Sequence, residues 1–120
     1  MRRRCRSVRA VGDRAGEATT LNNMAGVYDA IGQPQRALAL YEEALPIRRA
    51  VGHRAGEAIT LNNMAILLYQ QLDRTADGIR RMVEAITVLE RTGLSRDASG
   101  ATVEQFQAAL ATMRAGKPLW

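Results

Sequence analysis

The sequence predicts an all-α protein built from two copies of a helical hairpin, and three observations carry that expectation. Residues 11–25, VGDRAGEATTLNNMA, match residues 51–65, VGHRAGEAITLNNMA, at 13 of 15 places, with only Asp13/His53 and Thr19/Ile59 differing. Within each copy the apolar residues recur at i, i+3, i+4 and i+7, the spacing of one helix face. No stretch alternates apolar and polar residues as a half-buried strand would. Self-similarity at a fixed period is the mark of stacked repeats, in which each unit hides its apolar face against the next.

The elements follow in order. A first helix is expected over 14–31, with Asp13 as its N-cap and Leu21, Met24, Ala25 and Tyr28 on its packed face. Gly32 can end that helix, and Pro34 suits the first turn of a second over 34–51. The second helix packs through Ala37, Leu38, Tyr41, Ala44 and Leu45. Pro46 lies inside it, where a missing N–H costs about 3 kcal/mol and bends the axis. A third helix over 54–72 repeats the first with Leu61, Met64, Ala65 and Leu68. A fourth over 75–92 repeats the second with Ile79, Met82, Ala85 and Ile86, and its alignment requires one extra residue near the turn. Gly12, Gly52 and Gly93 each follow a helical stretch as a C-terminal cap would. A fifth helix over 98–114 presents Val103, Phe106, Leu110 and Met113 as one stripe, fit to cover the last repeat. The organisation expected is a basic arm at 1–10, the remnant of a preceding repeat helix; repeat 1 at 11–52; repeat 2 at 53–93; and a cap with a tail at 94–120.

These residues resemble the tetratricopeptide repeat, whose pattern is W-x2-L-G-x2-Y, then A-x3-F, then A and P. Leu21, Met24, Ala25, Tyr28, Ala37, Tyr41 and Ala44 take its places in one copy, and Leu61, Met64, Ala65, Leu68, Gly78, Met82 and Ala85 in the other. The unit of 40–41 residues and the TLNN segment are similar to the longer repeats of kinesin light chains and of arrays attached to bacterial signalling NTPases. Arg49 and Glu90 stand where the pattern ends in proline, so the second helix of each unit should run longer. The resemblance implies a helical-hairpin solenoid of two repeats plus a capping helix. It also implies a scaffold that binds a peptide or protein segment in a concave groove.

Asparagine is a poor helix former, yet Asn22-Asn23 and Asn62-Asn63 stand inside apolar helical patterns, 40 positions apart. Thr19, Asn22, Gly26 and Asp29 form a stripe beside the packed face, with Asn23 bordering it; Asn62, Ile66 and Tyr69, with Asn63, are its counterpart. In the repeats this chain resembles, that stripe lines the groove. An amide offers donors and an acceptor to the backbone of an extended peptide. Gly26 leaves room, and Ile66 and Tyr69 offer an apolar seat. The peptide-binding set is therefore Asn22, Asn23, Gly26, Asp29, Asn62, Asn63, Ile66 and Tyr69. The other reading is that the amides bond the neighbouring repeat and shape the superhelix.

Composition excludes much else. The net charge of +5 arises from Arg2, Arg3, Arg4, Arg6 and Arg9, since the remainder carries 12 basic residues against 12 acidic ones. A nucleic-acid reader spreads basic residues over a face and interleaves aromatics, so nucleic acid is an unfavoured partner. The single Cys5 forms no internal disulfide, and no secretory leader or bilayer-length apolar run is expected, which fits a cytoplasmic protein. His53 is the sole histidine and reads as a loop residue, not a metal ligand. Neither a phosphate-binding G-x-x-x-x-G-K-[ST] loop nor a serine with a histidine partner is present, so no enzyme, cofactor or metal is expected. Self-assembly, as a homo-oligomer or through a swapped helix, is the alternative mode of action. Residues 2–10 hold only Val8 and Ala10 as apolar cover, so the face of the first helix should be left partly open.

Overall fold

Two antiparallel hairpins and a fifth helix make up the fold. The chain was described from a computed structural model covering residues 2–97 and 99–119, with side chains from residue 13 on. α1 (Arg2–Ala30) packs on α2 (Pro34–Val51), and α3 (Arg54–Ile66) packs on α4 (Thr75–Thr92). α2 packs on α3 to join the hairpins, and α5 (Val103–Arg114) covers α4. No strand occurs among the described residues, where Arg96 and Thr102 form one isolated bridge. The core runs through α2, α3, α4 and α5: Leu61, Met64, Leu67, Met82, Leu89, Phe106 and Met113 are its largest fully buried apolar side chains.

The caps form for the reasons the sequence supplies. Gly52 and Gly93 adopt left-handed φ of 74° and 70° after α2 and α4, and Pro34 opens α2. α2 continues through Pro46, whose ring stands exposed on its outer side.

Three expectations are corrected, and the place of the extra residue is made specific. α1 does not begin near residue 14 with Asp13 as cap; it runs from Arg2 through Gly12. Gly52 leaves the helix at a left-handed φ of 74° with its N–H closed onto the last turn of α2, whereas Gly12 lies within α1. Second, Met24 is not buried. It is 42% exposed and Val27 59%, while their counterparts Met64 and Leu67 are 0% and 2% exposed. Burying such a side chain contributes roughly 1.5–3 kcal/mol, a gain α3 realises against α2 and α1 largely forgoes.

The extra residue of repeat 2, expected near the turn, is stored just before it, past the end of α3. Residues Leu67–Gln71 form a single π turn, with the Leu72 N–H reaching the Leu67 carbonyl at 3.1 Å. Gln33 N–H bonds Tyr28 O in repeat 1, and Arg74 N–H bonds Leu68 O in repeat 2, one residue further along. The bulge absorbs the insertion and leaves both hairpin helices in register. Third, α5 starts at Val103, not 98. Asp97 Oδ1 accepts from the Ser99 and Ala101 N–H groups and the Ser99 hydroxyl, which ties the backbone at 99 and 101 to Asp97 ahead of α5. Thr102 and Gln105 then cap α5 reciprocally.

Candidate binding surface

The two asparagine pairs divide their work between neighbours. Asn22 Oδ1 accepts a hydrogen bond from the hydroxyl of Thr60, 3.0 Å away on α3, so it ties hairpin 1 forward to hairpin 2. Asn63 faces the other way, with its amide beside the Tyr41 hydroxyl on α2. Adjacent helical residues point about 100° apart, which lets one pair serve two sides. Asn23 is exposed and Asn62 half-buried.

Tyr41 is 5% exposed. Burial raises its pKa above the ordinary tyrosine value, the Asp29 carboxylate raises it further, and the Asn63 amide works in the opposite direction. Asp29 keeps one carboxylate oxygen, Oδ1, buried without a hydrogen-bond partner. Three helices thus bring Asp29, Tyr41 and Asn63 together as one polar cluster.

Ile66 and Tyr69 belong to a second cluster. The Tyr69 hydroxyl donates to the Lys117 carbonyl at 2.6 Å. Ile66 lines a shallow cavity of about 280 Å³ with Gln105, Ala108, Ala109 and Thr112 of α5 and Leu119 of the tail. The seat expected for a peptide is therefore bordered by α5 and touched by the chain's own C-terminal segment. Gly26 is exposed with open space where a Cβ would stand.

A third set escaped the sequence reading. Arg48, 5% exposed, donates from Nη1 to the Gly56 carbonyl at 2.8 Å, and its burial pushes the guanidinium pKa down. Arg49 Nε and Arg54 Nη1 hold the buried Glu57 carboxylate at 2.9 and 2.7 Å. A Cβ on Gly56 would meet His53 Nδ1 at 2.5 Å and Arg48 Nη1 at 2.7 Å, so both side chains would have to shift to admit one. The signal was present in the recurrence of Gly-Glu at 16–17 and 56–57.

His53 stands exposed at the start of α3, and no group of three metal-ligating side chains occurs among the described residues. The side chains of Cys5 and of Arg2 to Arg9 lie outside those described. No described helix is long and apolar enough to cross a membrane. Comparison with curated proteins and with solved structures gave no match. A family model described as tetratricopeptide repeat matches residues 3–50 and 16–91, and repeats of this kind mediate protein–protein interaction. The chain belongs to the tetratricopeptide repeat family.

Proposed function

We propose that the protein is a binding scaffold that holds an extended protein segment along the inner side of α1 and α3. Asn62, Ile66 and Tyr69 make the principal contacts, and Asn22, Asn23, Gly26, Asp29 and Asn63 border them. The observation that carries this reading is the Tyr69 bond to the Lys117 carbonyl, because a groove residue there grips irregular main chain as it would grip a ligand. Leu119 beside Ile66 supplies the apolar half of the same contact. The unpartnered Asp29 oxygen offers an acceptor to a backbone N–H or a basic side chain.

The test uses the chain stopped after Arg114, which lacks the sole tryptophan, and a peptide of residues 115–120 supplied separately. The Trp120 fluorescence of the peptide should change on adding the truncated chain and far less on adding the intact one. Asn62→Ala and Tyr69→Phe should each weaken binding several-fold, about 1 kcal/mol for a lost hydrogen bond. A truncated chain that keeps its helical circular dichroism yet ignores the peptide would refute the reading. Self-assembly is the second reading, favoured by the exposed Met24, Val27 and Ile31, and concentration-dependent mass distinguishes it.

A further inference from the structure

Arg48 is the buried arginine of the described residues, and no described carboxylate pairs with it. Its sole hydrogen bond among those residues runs from Nη1 to the Gly56 carbonyl, and its Nε is buried without a partner. Exposed arginines such as Arg14, Arg54 and Arg74 each hold a carboxylate, at 2.7, 2.7 and 2.6 Å. A lone buried cation is strongly destabilising until a counter-ion reaches it.

The guanidinium is aimed at a helix end that also favours an anion. α3 begins at Arg54, and its N-cap residue His53 makes no side-chain bond to the first turn. The N–H groups of Arg54, Ala55 and Gly56 have no intrahelical acceptor, and the helix dipole favours negative charge beside them. The His53 imidazole lies over Gly56, with Nδ1 as close as Arg48 Nη1 to the place of a Cβ. Two basic side chains and a helix N-terminus thus converge at the α2–α3 turn, where His53 and Arg54 are exposed to solvent. Glu57 does not neutralise them, because its two oxygens are held by Arg49 and Arg54, and Arg49 shares Glu84 with Arg81. With Arg48, four guanidiniums adjoin two carboxylates, an excess of two positive charges.

We infer that the first turn of α3 binds a phosphoryl group between Arg48, His53 and the N–H groups of Ala55 and Gly56. A phosphate monoester carries about −1.5 to −2 charge near neutrality and presents three acceptor oxygens. That charge matches the excess, and the oxygens match donors arriving from a side-chain fork, an imidazole and a helix end. A carboxylate would leave half of the excess uncompensated. The donor set is particular to this turn. Asp13 stands where His53 does in the other copy, and α4 carries Leu89 and Glu90 where α2 carries Arg48 and Arg49, counting back from Gly93 and Gly52. Free phosphate and a phosphorylated side chain of a partner share this chemistry.

The test follows the backbone N–H signals of the full chain by NMR while inorganic phosphate replaces chloride at constant ionic strength. The Ala55 and Gly56 signals should shift and saturate, and the denaturation midpoint should rise over the same concentrations. Arg48→Met keeps the length of the side chain and should weaken binding at least about tenfold, the loss of a hydrogen bond to a charged group. His53→Asp, the residue of the other copy, supplies a carboxylate from the chain itself. It should abolish the response while the chain keeps its helical circular dichroism. Phosphoserine with blocked termini, titrated in the same way, separates the two sources: binding tighter than that of phosphate assigns the site to a phosphorylated partner, and weaker binding to the free ion. Shifts that do not saturate, or that leave Ala55 and Gly56 unmoved, overturn the inference. An undiminished response from Arg48→Met or from His53→Asp overturns it too, and where Arg48→Met fails to fold, His53→Asp decides alone.

Discussion

Tyr41 shows how a single buried hydroxyl links the hairpins to pH. Its pKa is raised by burial and by Asp29, so the folded state retains the proton longer than the unfolded chain does. Its contribution to stability is complete below about pH 10, the unfolded value, and is lost as pH rises through the raised folded pKa. Denaturation midpoints measured from pH 8 to 11 should therefore decline above about 10, and Tyr41→Phe should flatten that part of the curve. Glycines give a second residue-level contrast. A Cβ on Gly78 would meet the Ala65 carbonyl oxygen at 2.9 Å, backbone against backbone, whereas one on Gly16 would meet nothing. Gly78→Ala should destabilise by about 1–3 kcal/mol, and Gly16→Ala should stabilise by up to about 1 kcal/mol, both read by chemical denaturation. The asparagines were visible in the sequence as a recurring oddity. Which way each amide faced was not, because Asn22 and Asn63 find their partners on other helices, at separations no local pattern encodes.

At the scale of the element, periodicity sufficed for the bodies of the helices and failed at their ends. The apolar spacing located α2 and α4 to the residue, since Gly52 and Gly93 cap them and Pro34 opens α2. It missed the start of α5, although the apolar stripe begins at Val103 and Thr102-Val-Glu-Gln105 has the form of a capping box. Thr102→Ala should cost about 1 kcal/mol and loosen the first turn of α5, seen as faster amide exchange from Val103 to Phe106. The alignment placed one extra residue of repeat 2 near the turn, and backbone geometry stores it in the π turn just ahead of it. The turn that follows sets Asp73 at φ 55°, a left-handed conformation costly for a side-chain-bearing residue. Gly32 takes that place in repeat 1. Asp73→Gly should accordingly raise stability by up to about 1 kcal/mol, measured as a shift in denaturation midpoint.

For the whole molecule, the decisive quantity is coupling between repeats. Solenoid stability is close to a sum of unit terms and nearest-neighbour terms, so the bonds across α1, α2 and α3 determine whether two hairpins melt together. A double-mutant cycle on Asn22→Ala and Thr60→Val should return a coupling of about 0.5–1.5 kcal/mol, taken from urea unfolding of the four chains. A value near zero would show that the 3.0 Å contact contributes nothing to the junction. Exposure of Met24 was foreseeable in outline from the shortage of large apolar residues ahead of it. The Arg48–Gly56 and Arg49–Glu57 clasp was not, since charged residues next to a helix end read from sequence as solvated.

The one-residue bulge at Leu67–Gln71 has a consequence for how such chains vary. A single insertion in a straight helix would rotate everything beyond it by about 100° and turn buried side chains outward. Held in a π turn, the insertion is confined between Leu68 and Thr75, and α4 meets α3 as α2 meets α1. Repeat length can therefore drift by one residue without a compensating change elsewhere, and sister units of unequal length remain interchangeable parts of one stack.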